Sequence, residues 1–148
     1  MRRRVAPRDV AAGAANISAD MLVCVPFVYI ERLAAGLGGA SVAVGAQNVA
    51  AEVEAGAFTG EVNGAMLADI GCRYAIVGHS ERRADHGESD AEVRAKAEAA
   101  WRAGLTAIVC VGESEEERRG GIAEEVVGRQ LAGSLPEGAT GANLVVAY

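Results

Sequence analysis

The sequence has few aromatic residues, few prolines and no long uninterrupted apolar run. Aromatic residues make up 4% of the 148 residues and apolar residues 51%, so a core must be built from Ala, Val, Leu and Ile. Such a core suits parallel strands covered by helices better than an aromatic-rich sandwich. The length fits one domain and no Pro-, Ser- or Gly-rich linker divides it, so we expect a single domain over residues 1–148.

Positive charge and cysteine are also scarce. Lysine occurs once, at Lys96, and the net charge of −6 argues against a nucleic-acid partner. The basic cluster at residues 2–4 is expected to be a solvated terminus. The sequence contains no run of about 18 apolar residues, so no membrane span is predicted. The residues after the basic cluster at 2–4 do not form the apolar core of a signal peptide. The odd number of cysteines, without metal-site spacing, predicts reduced thiols in a cytoplasmic protein. They are Cys24, Cys72 and Cys110.

Five short apolar runs recur along the chain, each rich in β-branched residues and too short for a helix. None alternates cleanly between apolar and polar residues, which is typical of strands buried on both faces. Helical patterns fall between them, at 28–37, 63–70, 89–103 and 115–135. This alternation predicts parallel strands with right-handed crossovers. The predicted strands are 22–25, 42–46, 74–77, 106–111 and 144–148.

Two of the helical patterns have a clear apolar face. The first opens at Ser89, a candidate N-cap, and places apolar residues at helical spacing. The second is weakened at its start by two adjacent glycines. The faces consist of Val93, Ala97, Ala100 and Trp101 in the first helix, and of Ile122, Val126, Val127 and Leu131 in the second.

Two architectures fit this order of elements: a doubly wound open sheet and part of a closed barrel. A doubly wound nucleotide-binding fold usually carries a G-x-G-x-x-G or G-x-x-x-x-G-K-[ST] fingerprint after a strand. Neither occurs in the sequence, which favours the barrel. A complete eight-stranded barrel needs about 250 residues, so the chain would supply only part of one.

Polar residues follow three of the predicted strands, where working residues lie in parallel α/β folds. Gln47 and Asn48 follow the second strand, His79 the third and Glu113 the fourth. His79 comes after Gly78 and before Ser-Glu-Arg-Arg, a candidate helix start. Amides at that helix end would disfavour a charged imidazole, and a neutral one can donate a hydrogen bond to a carbonyl oxygen. The alternative is a structural histidine that caps a loop.

The motifs around these positions are specific as an ordered set. They are Cys-Val-Pro-Phe-Val at 24–28, Val-Gly-Ala-Gln-Asn at 44–48, Gly-Ala-Phe-Thr-Gly-Glu at 56–61, Gly-His-Ser-Glu-Arg-Arg at 78–83, Gly-Glu-Ser-Asp at 87–90 and Ile-Val-Cys-Val-Gly-Glu at 108–113. In this order and spacing, over about residues 20–148, the chain resembles the triose-phosphate isomerase family. The resemblance implies a partial (β/α)8 TIM barrel that covers strands 2 to 6 of the family fold.

The resemblance also implies a function. The family interconverts dihydroxyacetone phosphate and glyceraldehyde 3-phosphate in glycolysis and gluconeogenesis, without a cofactor. His79 matches the neutral histidine electrophile, a role taken from the family and not worked out from these residues. Glu81 is similar to the supporting glutamate that pairs with the family lysine. Taken alone, Glu81 would be a carboxylate stabilised by a helix N-terminus.

Other residues match supporting parts of the family pattern. The stretch 47–61 resembles the loop that inserts into the partner subunit of a homodimer, and Thr59 matches the threonine that reaches the neighbouring active site. Without the resemblance this stretch would be an ordinary surface loop. Cys110 is expected to be a packed thiol, and Arg82, Arg83 and Glu88 to form structural ion pairs. The loop residues that carry the match are Gln47, Phe58, Thr59 and Glu61.

The chain departs from the family pattern in two places. No Asn-x-Lys motif occurs, and the sequence stops at Tyr148, where the family continues with Glu-Pro-Val-Trp. We therefore expect a truncated isomerase that is inactive alone and poorly soluble or self-associating, because its sheet would have open edges. The alternatives are a non-catalytic barrel fragment that acts in binding or assembly, and another phosphate-handling barrel or open-sheet binding module.

Overall fold

The computed structural model describes residues 6–54 and 56–148, so the basic cluster at 2–4 lies outside the described residues. Five strands form in this part of the chain, and each agrees with its predicted run to within one residue at either end. The reason is that every run is short, apolar and bounded by turn residues, which leaves little freedom in where a strand begins or ends. The strands are β1 (Met21–Val25), β2 (Val42–Ala46), β3 (Tyr74–Val77), β4 (Thr106–Cys110) and β5 (Leu144–Ala147).

The strands form one parallel sheet in the order β1-β2-β3-β4-β5. Each strand pairs with its neighbour in sequence, for example Ile76 with Ile108 and Ile108 with Val145. A doubly wound sheet reverses its strand order at a switch point, whereas a barrel adds each strand to the same side of the last. The consecutive order therefore agrees with a segment of a barrel.

Seven helices accompany the described strands. The predicted Ser89 cap is confirmed: its Oγ accepts a hydrogen bond from the Glu92 amide at 3.2 Å, while Glu92 Oε2 accepts from the Ser89 amide at 2.8 Å. The first helix was not predicted, and of the fourth only the start at Ser-Glu-Arg-Arg was, because neither is long enough to show a full apolar period. The helices are α1 (Pro7–Ala14), α2 (Phe27–Leu37), α3 (Gly64–Asp69), α4 (Ser80–Asp85), α5 (Asp90–Arg102), α6 (Glu115–Arg119) and α7 (Ala123–Ser134).

The prediction of one helix over 115–135 is wrong, because the segment breaks into α6 and α7. Gly121 adopts φ +75°, a left-handed conformation that ends the first helix. Ile122 then precedes α7 and is 44% exposed, so it does not share the buried face of Val126. Val127 and Leu131 do pack against the core, as predicted.

The two faces of the sheet differ in what covers them. On the convex face, Ala75, Val77, Ala107 and Val109 are fully buried beneath the helices. The alternate residues of the same strands point to the concave face and are only partly buried. These concave residues are Tyr74, Ile76, Thr106, Ile108 and Cys110.

Among the described residues, no helix is long and apolar enough to cross a membrane.

Candidate active site

The carboxyl ends of the five strands converge on two adjoining clefts. The first has a volume of about 450 Å³ and is lined by residues that include Gln47, Asn48 and Glu81. The second, of about 570 Å³, lies beside Glu113. His79 lines both clefts, so the structure places the predicted electrophile at the mouth of the sheet, between the ends of β2 and β4.

The local geometry of His79 follows from the glycine before it. Gly78 has φ +67°, and a Cβ there would lie 2.7 Å from Val93 Cγ1, so only glycine fits the turn that leaves β3. His79 then caps α4, and its ring Nδ1 accepts a hydrogen bond from the Glu81 amide at 3.4 Å. A neutral ring that accepts at Nδ1 carries its proton on Nε2, which can donate to a ligand oxygen.

Glu81 lies beside His79 in the first turn of α4. Its Oε2 is 3.7 Å from His79 Nδ1, and its side chain is 81% exposed at the edge of the first cleft. This position agrees with a carboxylate favoured by the helix N-terminus. Its pairing with a lysine of the family pattern stays a prediction.

A buried ion cluster supports the first cleft from below. Glu88 is 7% exposed, and its Oε1 accepts a hydrogen bond from Arg82 Nε at 2.5 Å and a second from Lys96 Nζ. Lys96 Nζ also donates to Asn48 Oδ1 at 3.1 Å. Burial disfavours the charged carboxylate, but the hydrogen bonds from Lys96 and Arg82 outweigh it and hold the pKa of Glu88 below its ordinary value. The cluster ties Asn48, two residues after the end of β2, to α4 and α5.

Lys96 is a member of this cluster that the sequence analysis did not assign. Its burial could have been predicted, because Lys96 lies on the apolar face of its helix: Val93, Lys96, Ala97 and Ala100 fall at i, i+3, i+4 and i+7. An ammonium on a buried face requires a partner. The ion pairs predicted for Arg82, Arg83 and Glu88 are present: Arg82 pairs with Glu88, and Arg83 pairs at 2.6 Å with Asp90, a partner that was not predicted.

Glu113 forms a second polar group, in the other cleft. Its side chain is 1% exposed, and its Oε1 lies 2.6 Å from Arg118 Nη2 and 3.1 Å from the Tyr148 hydroxyl, which donates to it. The pKa of Glu113 is lowered mainly by a hydrogen bond from its own backbone amide. Burial acts in the opposite direction, and Tyr148 and Arg118 lower the pKa further. Its Oε2 is buried without a hydrogen-bond partner among the described residues.

The loop predicted to contact a partner subunit leaves the sheet at Gln47. The Ala50 amide donates to the Val62 carbonyl at 2.9 Å, which closes the base of the loop. Beyond this point Phe58 is 45% exposed, and Thr59 and Glu61 are exposed as well. The structure therefore presents these side chains outward, and their role in a dimer stays a prediction.

The three cysteines are free thiols. Burial raises the pKa of Cys24 and that of Cys72 to about 11 and also raises the pKa of Cys110, so all three are protonated at neutral pH. Within residues 6–54 and 56–148, no group of three or more His, Cys, Asp or Glu side chains could hold a metal ion.

Comparison with known proteins places this geometry in context. A family model described as triosephosphate isomerase matches residues 4–148. The triosephosphate isomerase of Afipia carboxidovorans is 63% identical over 129 residues, which cover 87% of this chain and 51% of that protein. The triosephosphate isomerase of Rhodopseudomonas palustris is 60% identical over 132 residues, which cover 88% and 52%. The chain thus spans about half the length of the curated relatives it matches.

A solved structure extends the comparison to the fold. The crystal structure of triosephosphate isomerase from Bartonella henselae superposes with a TM-score of 0.89 at 46% identity, covering 96% of this chain and 60% of that one. Fold and site together define a segment of a parallel (β/α)8 barrel with a histidine at the carboxyl mouth. The chain belongs to the triosephosphate isomerase family. The predicted partial barrel and family resemblance are confirmed.

Proposed function

We propose that the protein that contains this chain interconverts dihydroxyacetone phosphate and glyceraldehyde 3-phosphate, and that this chain supplies the electrophilic histidine. The observation that carries the proposal is the hydrogen bond from the Glu81 amide to His79 Nδ1. It directs the ring proton to Nε2, at the edge of a cleft of about 450 Å³. That volume is within the range of small-molecule sites.

In the proposed reaction, His79 acts as a neutral hydrogen-bond donor to the substrate. A base removes a proton from the carbon next to the carbonyl of the triose, and negative charge develops on the carbonyl oxygen. Nε2–H of His79 donates to that oxygen and stabilises the enediolate; a neutral imidazole can share its proton with the oxygen and take it back. On the family pattern, the glutamate base and the substrate-binding lysine would come from segments outside these 148 residues.

A chimera tests the proposal directly. In it, this chain replaces the matching segment of the Afipia carboxidovorans enzyme, to which it is 63% identical over 129 residues. We expect the chimera to isomerise glyceraldehyde 3-phosphate, and His79→Gln in the chimera to lower kcat by about 10²–10⁴-fold, the usual contribution of one positioned proton donor. The rate of isomerisation in a coupled assay measures both.

Two controls complete this test. The 148-residue polypeptide alone should show no useful turnover, since its sequence contains neither Asn-x-Lys nor Glu-Pro-Val-Trp. His86→Gln in the chimera controls for the loss of an imidazole elsewhere in the first cleft. A folded chimera without activity, or one whose activity survives His79→Gln, would refute the proposed role.

We also propose that the whole protein works as a cytoplasmic homodimer that uses the loop at 47–61. The outward side chains of Phe58 and Thr59 support the dimer, and the protonated, unpaired cysteines suit a reducing compartment. The same chimera is expected to sediment as a dimer, and Phe58→Asp in the loop should shift it toward the monomer. A chimera that is monomeric before the substitution would contradict the dimer.

A further inference from the structure

Arg83 contacts both peptide groups that flank His79. Its backbone amide donates to the His79 carbonyl at 3.0 Å, and its side-chain Nε donates to the Gly78 carbonyl at 2.9 Å. The Gly78 carbonyl belongs to the peptide that enters His79, and the His79 carbonyl to the peptide that leaves it. These two peptide planes set the direction in which the imidazole points, so one residue holds both.

The far end of the same guanidinium is anchored in three other elements. Nη1 donates to Asp90 Oδ1 at 2.6 Å, at the first residue of α5. Nη2 donates to the Cys110 carbonyl at 3.2 Å, at the end of β4, and to Ser134 Oγ at 3.0 Å, at the end of α7. Ser134 is fully buried and also donates to Asp90 Oδ1 at 3.1 Å. The planar fork of Arg can serve all these acceptors at once, whereas an ammonium cannot.

His79 needs such support because its ring has few partners in the part of the chain that the structure describes. There the ring accepts one hydrogen bond, of 3.4 Å, longer than the usual 2.7–3.2 Å, and its Nδ1 lies 3.7 Å from Glu81 Oε2; the side chain is 46% exposed. The peptide bond before His79 joins it to Gly78, which has φ +67° and lacks the Cβ that restricts the backbone of other residues. A small rotation of that peptide would move Nδ1 away from the Glu81 amide.

The neighbouring arginine provides a contrast within the same helix. The Arg82 amide also donates to the His79 carbonyl, at 2.9 Å, but its side chain turns to Glu88 and not to Gly78. We propose that Arg83 is a positioning residue for His79, acting through the Gly78 carbonyl to aim the ring and fix its neutral tautomer. The catalytic meaning of this assignment rests on the proposed function, whereas the test below measures the ring itself and does not depend on activity.

The test uses ¹⁵N spectra of the imidazole groups in the chimera, in which the barrel is complete, at about pH 8, where an ordinary histidine is neutral. This chain contributes two histidines, and the His79→Gln and His86→Gln variants assign the signals of each. We expect the Nε2–H tautomer of His79 to dominate in the wild type. Arg83→Lys should lower the ratio of Nε2–H to Nδ1–H by roughly fivefold, the factor that one typical net hydrogen bond supplies. The His86 signals should not change.

Arg94→Lys is the matched control. Arg94 also donates to a backbone carbonyl, that of Ala132 at 2.6 Å, but its bond joins α5 to α7. A purely structural role predicts similar losses of thermal stability in both variants and no change at His79. A folded Arg83→Lys chain whose His79 tautomer ratio matches that of Arg94→Lys overturns the proposal. If Arg83→Lys does not fold, Asp90→Asn, which removes only the charge that anchors the guanidinium, must shift the ratio in the same direction; an unchanged ratio overturns it.

Discussion

The convex and concave faces of the sheet are made of the same kinds of side chain but have different surroundings. Along β3 and β4, Val77 and Val109 on the convex face are fully buried, while Ile76 and Ile108 on the concave face stay partly exposed. The helices supply the cover on the convex side. Apolar composition therefore does not by itself make a core; contact with a second layer does.

Two carboxylates at the mouth of the sheet, Glu88 and Glu113, also differ in how buried their cationic partners are. Glu88, under the helices, has the partners Lys96 and Arg82, whose side chains are 12% and 28% exposed. Glu113, in the cleft beside β5, has Arg118, whose side chain is 66% exposed. Removal of each acid would leave its cation in a different environment: buried in the first case and hydrated in the second.

The largest expected effect comes from Glu88→Ala. This substitution leaves Lys96 and part of Arg82 buried without a counter-charge, and we expect it to lower the free energy of unfolding by about 3–5 kcal/mol, the usual cost of breaking a buried ion pair. Glu113→Ala, the matched control, should cost much less because Arg118 can turn to water. Urea unfolding followed by circular dichroism compares the two. Equal losses would show that the two clusters are not distinguished by burial.

The next largest effect is expected from truncating isoleucine side chains on the convex and concave faces of the sheet. Ile30, on α2 beneath the convex face, is 0% exposed, whereas Ile76 points to the concave face. Ile30→Ala should lower the free energy of unfolding by about 2–5 kcal/mol, because it leaves a cavity in a packed core. Ile76→Ala should cost less than half as much, since its surface is already partly hydrated. The midpoints of urea denaturation test this, and a larger loss for Ile76→Ala would mean that the concave face is covered in solution.

The smallest effect concerns the reactivity of two thiols. The pKa of Cys24 and that of Cys72 are both about 11, so iodoacetamide should react slowly with either at neutral pH and faster as pH rises. Cys24 lies half-buried on the concave face, but Cys72 is 5% exposed. We therefore expect Cys24 to be labelled in the folded chain as pH rises toward 11, and Cys72 only after denaturation. Mass spectrometry of the labelled peptides measures the extent of labelling at each cysteine. Equal labelling of Cys24 and Cys72 in the folded chain would contradict the prediction.

Much of the fold was accessible from local pattern. The runs at 42–46 and 74–77 have the bounds of β2 and β3 because each is apolar and closed by turn residues. The helix at 115–135 was predicted wrongly because residues 115–119 contain no apolar residue whose spacing could show a separate helix, and only the conformation of Gly121 shows that the chain turns there. Periodicity records which residues face a core but does not record a change in chain direction.

The candidate site was predicted in part. The positions of His79 and Glu81 were singled out from their place after a strand, while their catalytic roles come from the family resemblance and stay predictions. The ion pairs of Arg82 and Arg83 were predicted from their charge. Lys96 was not assigned, although its helix face predicts burial, because its partners Glu88 and Asn48 lie eight and 48 residues away.

The sequence by itself determined the order of the five strands and, to within one residue, where each begins and ends, because these depend on neighbours within a few positions. Only the tertiary structure decided which face of the sheet is covered, which carboxylate meets Lys96, and that the Arg83 side chain reaches the Gly78 carbonyl. These depend on contacts between residues far apart in the chain, where the free energy of a pairing is set by geometry and burial and not by local composition.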